Sequence, residues 1–284
     1  MRYLNKSFSV YFGGDNYEKN YDRIFGKKIQ IIIIGGGRSI KEGIELGLWT
    51  KIKDLFTIGT NYSFKYFIPT ILTFADVSFY KEQLENLRKL PCILVGNARI
   101  REHKLEELPN LYLLPVNNTK YTRDLSDGVY KGITGIFALS LAIYILDNLE
   151  AKEKEIFLLG MDWGNIVYEN DKVINNFSVS EEGVDKINPK NVIRKEKGYR
   201  ILTHFYDGEL YHRGSGKVDY YITHNPEVIF SPYRDIKDIK IWNVSPKSHI
   251  PTFPKIDYPT FFRKLVKCSV NVEEVKKILE RIRK

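Results

Sequence analysis

Ile29-Gln30-Ile31-Ile32-Ile33-Ile34-Gly35-Gly36-Gly37-Arg38-Ser39 is the stretch on which the fold turns. A nearly unbroken β-branched run of this length reads as a strand buried on both faces, as in a parallel sheet. It stops at three glycines. Ser39 then stands where a helix would be capped, Glu42 three residues on completes a capping box, and Ile44, Leu46, Leu48 and Trp49 supply apolar surface. Strand, glycine turn and capped helix in that order open an α/β unit. The turn has the makings of an anion site, because missing side chains expose backbone N–H groups and a helix N-terminus faces them. Its spacing is neither the dinucleotide fingerprint nor the Walker P-loop, which counts against ordinary NAD binding and P-loop chemistry.

Outward from this unit, further apolar runs lie at 55–58, 71–74, 93–95, 111–114, 156–159 and 239–244, separated by helical or loop lengths. That alternation predicts a Rossmann-like α/β fold: a mostly parallel sheet with helices on both faces. Ile133, Ile136, Phe137, Leu141, Tyr144 and Ile145 recur at helical spacing and predict an amphipathic helix. Asn271 with Glu274 gives a second capping box, and Val272, Val275, Ile278, Leu279 and Ile282 mark a C-terminal helix that closes the sheet from one side. Residues 1–28 read as an N-terminal extension, 29–250 as the main domain and 251–284 as a C-terminal segment and helix. From 163 to 237 the pattern degrades into Asn, Gly, Lys and Tyr, which suggests a lid-like insertion rather than a structureless loop.

A formal net charge of +9 points to anionic partners such as nucleotides, phosphorylated substrates or nucleic acid, although a lysine-rich surface alone gives the same balance. Cys92 and Cys268 are the two cysteines, too few for a disulfide framework or a metal cluster, so a reducing, cytoplasmic compartment fits. Met1–Tyr11 lacks the apolar run of a signal peptide, and nothing approaches the ~20 apolar residues a spanning helix needs.

Three polar residues follow candidate strands directly: Asn61 after Gly59-Thr60, Asp76 after Phe74-Ala75, and Asp162 after Gly160-Met161. Ligands of open α/β sheets gather at that edge. Asp76 and Asp162 could share a Mg2+, since a hard cation needs only one or two carboxylates plus substrate phosphates. Four of the five histidines, His204, His212, His224 and His249, fall late in the chain among Tyr199, Tyr206, Tyr211, Tyr220 and Tyr221. A neutral imidazole suits activation of a hydroxyl. Their spacing fits no zinc motif. The basic and aromatic mix could also stack on bases of a single-stranded nucleic acid, a partner no RNP-type motif supports.

Taken in order, Ile34-Gly35-Gly36-Gly37-Arg38-Ser39, Gly59-Thr60-Asn61, Phe74-Ala75-Asp76, Ile133-Thr134-Gly135, Gly160-Met161-Asp162-Trp163 and Asn243-Val244-Ser245-Pro246-Lys247-Ser248 resemble the MptE-like superfamily over about residues 29–250. That superfamily includes archaeal 6-hydroxymethylpterin diphosphokinases and is similar in motif order to bacterial lipooligosaccharide sialyltransferases. The sialyltransferase resemblance implies a nucleotide-sugar donor surrounded by Gly36, Asn61, Asp76 and Thr134, with His224 as base and Tyr168 assisting the departing phosphate. Gly164 stands where a second tyrosine would be, Asp76 where that motif has Asn, and Arg38 where it has Pro.

The leading expectation is therefore a transferase, more specifically a glycosyltransferase moving a sugar from a nucleotide donor to a hydroxyl acceptor. Gly35, Gly36, Gly37 and Ser39 would hold the diphosphate, Asn61 and Thr134 would orient the nucleotide, and Tyr168 with Arg38 would steady the leaving phosphate. His224, or else His204 or His212, would take the acceptor's proton. The alternative is a Mg2+-dependent diphosphokinase that passes pyrophosphate from ATP to a hydroxymethylpterin-like alcohol, with Asp76 and Asp162 on the metal. A non-catalytic nucleotide- or nucleic-acid-binding module is the third reading.

Overall fold

The isoleucine run forms the centre of the sheet. In the computed structural model it is strand β1 (Lys28–Ile34), paired in parallel with β2 (Thr57–Thr60) on one side and β8 (Glu153–Leu159) on the other. Side chains of a strand alternate between faces. Ile29, Ile31 and Ile33 accordingly enter one core, and Ile32 and Ile34 enter another on the opposite face. An alternating apolar and polar strand could not do this, which is why an isoleucine-rich segment sits here. The structure describes residues 27–131, 133–162, 165–169, 172–177, 199–202, 226–267 and 270–282.

Around β1 the sheet holds seven strands in the order β12-β8-β1-β2-β3-β4-β5, with β3 Ile71–Phe74, β4 Ile93–Asn97, β5 Leu111–Leu114 and β12 Lys240–Asn243. All of its pairings are parallel. The chain grows outward from β1 to β5, then returns to the other flank of β1 for β8 and β12. Every strand run expected from the sequence thus falls in one sheet. Two smaller sheets accompany it: a parallel pair, β6 (Val116–Asn117) with β7 (Val129–Tyr130), and an antiparallel sheet β10-β9-β11. The latter comprises Asn165–Glu169, Lys172–Phe177 and Tyr199–Leu202 as β9, β10 and β11, inside the stretch read as an insertion. The extension over residues 1–26 and most of the 163–237 insertion lie outside the described residues.

Helices cover both faces. On one, α1 (Ile40–Glu45), α2 (Leu48–Ile52) and α7 (Tyr258–Lys264) cover β12, β8 and β1 through Ile40, Leu48, Ile52, Tyr258 and Phe261. Farther along that face, α3 (Val77–Leu87) and α4 (Arg99–Glu102) cover β3 to β5. The other face carries α5 (Thr134–Asp147), α6 (Pro226–Phe230) and α8 (Val272–Ile282). Asn271 accepts from the Glu273 amide at 2.9 Å and so caps α8.

Helix α5 departs from the expectation. It is not amphipathic: every residue from Ile136 to Leu146 is buried. One side packs across β1, β2 and β3, and the other is covered by Tyr233 and its neighbours, with the Ser140 and Tyr233 hydroxyls 2.7 Å apart. A helix apolar all round is a buried helix. Arg123 fastens its C-terminal end, bonding Asp147 at 2.5 and 2.8 Å and Asp238 at 2.8 and 2.9 Å. Among the described residues no helix is long and apolar enough to cross a membrane.

Candidate functional site

The order of strands sets where a ligand would sit. The connections that follow β1 and β8 run in opposite directions, toward β2 and toward β12, so the carboxyl ends of β1 and β8 form the topological switch point of the sheet. Here the glycine turn after β1 meets the Gly160-Met161-Asp162 turn after β8. The two are joined rather than parted. Gly35 N–H donates to Leu159 O at 2.7 Å, and Gly37 N–H to Gly160 O at 2.8 Å. Ser39 donates twice to one carboxylate, from its amide to Asp162 Oδ2 at 2.8 Å and from its hydroxyl to Asp162 Oδ1 at 2.5 Å. Approach this close requires glycine: a Cβ on Gly35 would lie 2.5 Å from Gly160 O, and one on Gly37 the same distance from Asp162 Oδ2.

Two expectations change as a result. The capping box of Ser39 and Glu42 does not form, because the Ser39 side chain makes no cap bond and is turned to Asp162. The phosphate cradle expected over Gly35, Gly36, Gly37, Arg38 and Ser39 is also filled from within. Three of its amides serve the chain's own acceptors, and the anion at the start of α1 is the Asp162 carboxylate. Arg38 stays partly exposed beside Lys41, whose pKa is lowered by burial and then by the Arg38 charge.

One turn away along the same edge, Asn61 and Thr134 do come together. Thr134 Oγ1 donates to Asn61 Oδ1 at 3.4 Å, a long bond linking the end of β2 to the first turn of α5. Asn61 holds a left-handed backbone, φ 45°. Outside glycine, Asn is among the residues that tolerate this region, and it recurs at ligand sites. The N-cap of α5 is Ile133, whose side chain offers no acceptor to the first-turn amides. Gly135 lets Met161 approach, since a Cβ there would lie 2.6 Å from the methionine methyl. The start of a buried 14-residue helix therefore stands between the Asn61 turn and the Met161 turn, its side chains leaving the amides to whatever lies at the edge.

Beneath these turns runs a feature the sequence reading missed. Thr60 Oγ1 donates to Ile34 O at 3.0 Å, Thr73 Oγ1 to Gly59 O at 3.1 Å, and Asn97 Nδ2 to Ala75 O at 3.1 Å. Each strand end is tied by a buried polar side chain to the backbone of its neighbour, β2 to β1, β3 to β2, and β4 to β3. The signal was present: Thr60 and Asn97 end β2 and β4, and Thr73 lies within β3. A comparable knot holds the β12 side, where Asn243 Nδ2 donates to Ser248 Oγ at 2.8 Å and Ser248 Oγ donates to Met161 O at 2.8 Å. His249 N–H donates to Asp162 O at 2.8 Å.

Asp76 occupies the N-cap of α3 without capping it. Its surface is open to solvent, yet partial burial of its carboxyl raises the pKa above the ordinary carboxylate value. It does not meet Asp162. Strands β3 and β8 are separated by β1 and β2, so their ends stand roughly 14 Å apart at ~4.8 Å per spacing. Two oxygens on one Mg2+ at ~2.1 Å lie within about 4 Å of each other. With Asp162 also committed to Ser39, the pair does not fit a shared Mg2+.

Of the expected catalytic residues, His204, His212 and His224 lie outside the described residues, as does Gly164. Tyr168 lies on β9, in register with Val173 on β10 and Arg200 on β11. Comparison with family models, with curated proteins and with solved structures returns no match.

Proposed function

We propose that the chain is a nucleotide-dependent transferase, and within that class a glycosyltransferase that moves a sugar from a nucleotide donor to a hydroxyl acceptor. The observation that carries this reading is the contact of Asn61 with Thr134 at the N-terminus of α5, on the carboxyl edge of the parallel sheet. An α-helix presents roughly half a positive charge and its unpaired amides at that end. A diphosphate placed there gains both, and with the Thr134 proton already given to Asn61 Oδ1, the Asn61 Nδ2 group and the Thr134 oxygen add a donor and an acceptor to orient the rest of the nucleotide. The donor diphosphate thus moves, relative to the sequence expectation, from the glycine turn to the start of α5. The glycine turn becomes the brace that fixes the β8 turn beside it.

The separation of Asp76 and Asp162 weighs against a metal shared between them and so against the diphosphokinase alternative, and the transfer proposed here runs without Mg2+. The test is a thermal-shift panel of CMP-, UDP- and GDP-sugars and ATP, each with Mg2+ and with EDTA. One family of sugar nucleotides should raise the melting temperature equally in both conditions. Stabilisation by ATP alone, and only with Mg2+, would instead support the diphosphokinase, and stabilisation by none would remove the transferase reading.

A further inference from the structure

We infer that His249 is the proton acceptor for the incoming hydroxyl, fixed at the carboxyl edge by the Asn243–Ser248 knot and assisted by Asp162. This rests on the transferase reading. His249 follows β12, next to β8 and the switch point. Its backbone is pinned from several directions. Its amide donates to Asp162 O at 2.8 Å, and the preceding Ser248 is bound to Asn243 at 2.8 Å and Met161 at 2.8 Å. The Ile250 amide donates to Ser248 Oγ at 3.2 Å, and Lys255 Nζ donates to Ser248 O at 2.6 Å. Ser248 and Ile250 are buried on either side, while His249 between them reaches solvent. A buried polar network of this kind fixes one backbone position and leaves one imidazole at the surface of the edge, as a positioned catalytic group requires. His103, the other histidine among the described residues, is exposed at the end of α4 and has no such support.

The charges around His249 match the role. Burial and then the Lys255 ammonium lower its pKa from the usual 6.5, and the Asp162 carboxylate opposes them. The imidazole is therefore neutral at pH 7 and free to accept a proton. Once protonated, it is stabilised through space by Asp162, which Ser39 holds in place. In the reaction, the acceptor O–H proton passes to an imidazole nitrogen and the oxygen forms a bond to the anomeric carbon. The bond from that carbon to the phosphate oxygen breaks, and its electron pair leaves with the nucleotide. This gives Asp162 a purpose in place of metal binding.

The inference is tested on the full chain with the CMP-, UDP- and GDP-sugar panel. The wild type and H249A should show the same thermal shift with the active sugar nucleotide, while H249A loses at least ~100-fold in kcat. The acidic limb of the wild-type kcat/KM profile, set by a group titrating below 6.5, should vanish in H249Q. An H249A variant that turns over as fast as the wild type, or an acidic limb that survives in H249Q, would overturn the assignment alone. Absence of any nucleotide shift in the wild type would instead bring down the transferase reading, and the inference with it. Histidine NMR supplies a readout apart from turnover: D162N should lower the His249 pKa further, and S39A should lower it less. An unchanged value in both variants would refute the assistance by Asp162.

Discussion

Removing the Asp162 side chain tests the brace between the two central turns. Asp162→Ala deletes the acceptor of two bonds, the Ser39 amide at 2.8 Å and the Ser39 hydroxyl at 2.5 Å, both partly buried. Hydrogen bonds to a charged partner contribute ~1.5–3 kcal/mol each, and the low end applies because the site is partly open. The expected loss is ~3 kcal/mol, a drop of roughly 6–12 °C in melting temperature for a chain of this size. The backbone of the turn stays in place, since Ser248 and His249 hold the Met161 and Asp162 carbonyls. Asp162→Asn keeps one acceptor and should lose about half as much. Urea unfolding with linear extrapolation measures both. A cycle with Ser39→Ala isolates the hydroxyl bond, expected to show a coupling of ~1.5 kcal/mol. Additive losses, with coupling below about 0.5 kcal/mol, would refute the claim that Asp162 fills the glycine turn.

Gly37→Ala tests the same brace from the other side. A methyl there would lie 2.6 Å from Gly160 O, which is backbone and cannot turn away, so a loss of at least ~2 kcal/mol is expected in the same unfolding assay. Asp76 should behave oppositely. Its folded pKa is raised by desolvation, so the folded chain holds the proton more tightly, and stability present at low pH is lost as pH rises through the folded value. Asp76→Asn should accordingly raise the melting temperature at pH 7 and not at pH 3, and a decrease at pH 7 would contradict this. Glu155 carries the reverse sign. Burial opposes its ionisation, but bonds from Gln30 and Lys28 outweigh that and hold its pKa below the ordinary 4.5. Its contribution is present above that value and lost as pH falls through the folded one. Glu155→Gln should cost stability at pH 7 and little at pH 3, as melts at the two pH values would show.

The isoleucine run and its glycine stop made the sheet legible, because only a two-faced buried strand uses Ile29, Ile31, Ile32, Ile33 and Ile34 together. Gln30, in the middle of that run, was opaque. Its side chain bonds the neighbouring strand and the end of α7, donating to Glu155 Oε2 and to Lys264 O at 2.8 Å, and accepting from the Val266 amide at 3.0 Å. Partners more than a hundred residues away leave no local pattern. Ser39 failed for a related reason. Its spacing to Glu42 is that of a capping box, but a carboxylate from the β8 turn offered a charged partner that local chemistry could not match. Helix α5 was found as a helix yet read as amphipathic. Its apolar periodicity was visible, whereas the Tyr233 segment that covers its outer side comes from much later in the chain. Asn61 and Thr134 were legible as residues following a strand and opening a helix, but their contact depends on the crossover that lays α5 over β1, β2 and β3.

Calorimetric titration of the sugar nucleotide selected by the panel into the wild type, Thr134→Val and Asn61→Gly asks whether the start of α5 holds the donor. Valine keeps the shape of threonine without its hydroxyl, and glycine keeps the left-handed backbone at Asn61, φ 45°. Each variant should fold with its melting temperature nearly unchanged and bind about tenfold more weakly, the cost of one ~1.4 kcal/mol hydrogen bond. Wild-type affinity in both variants would contradict it.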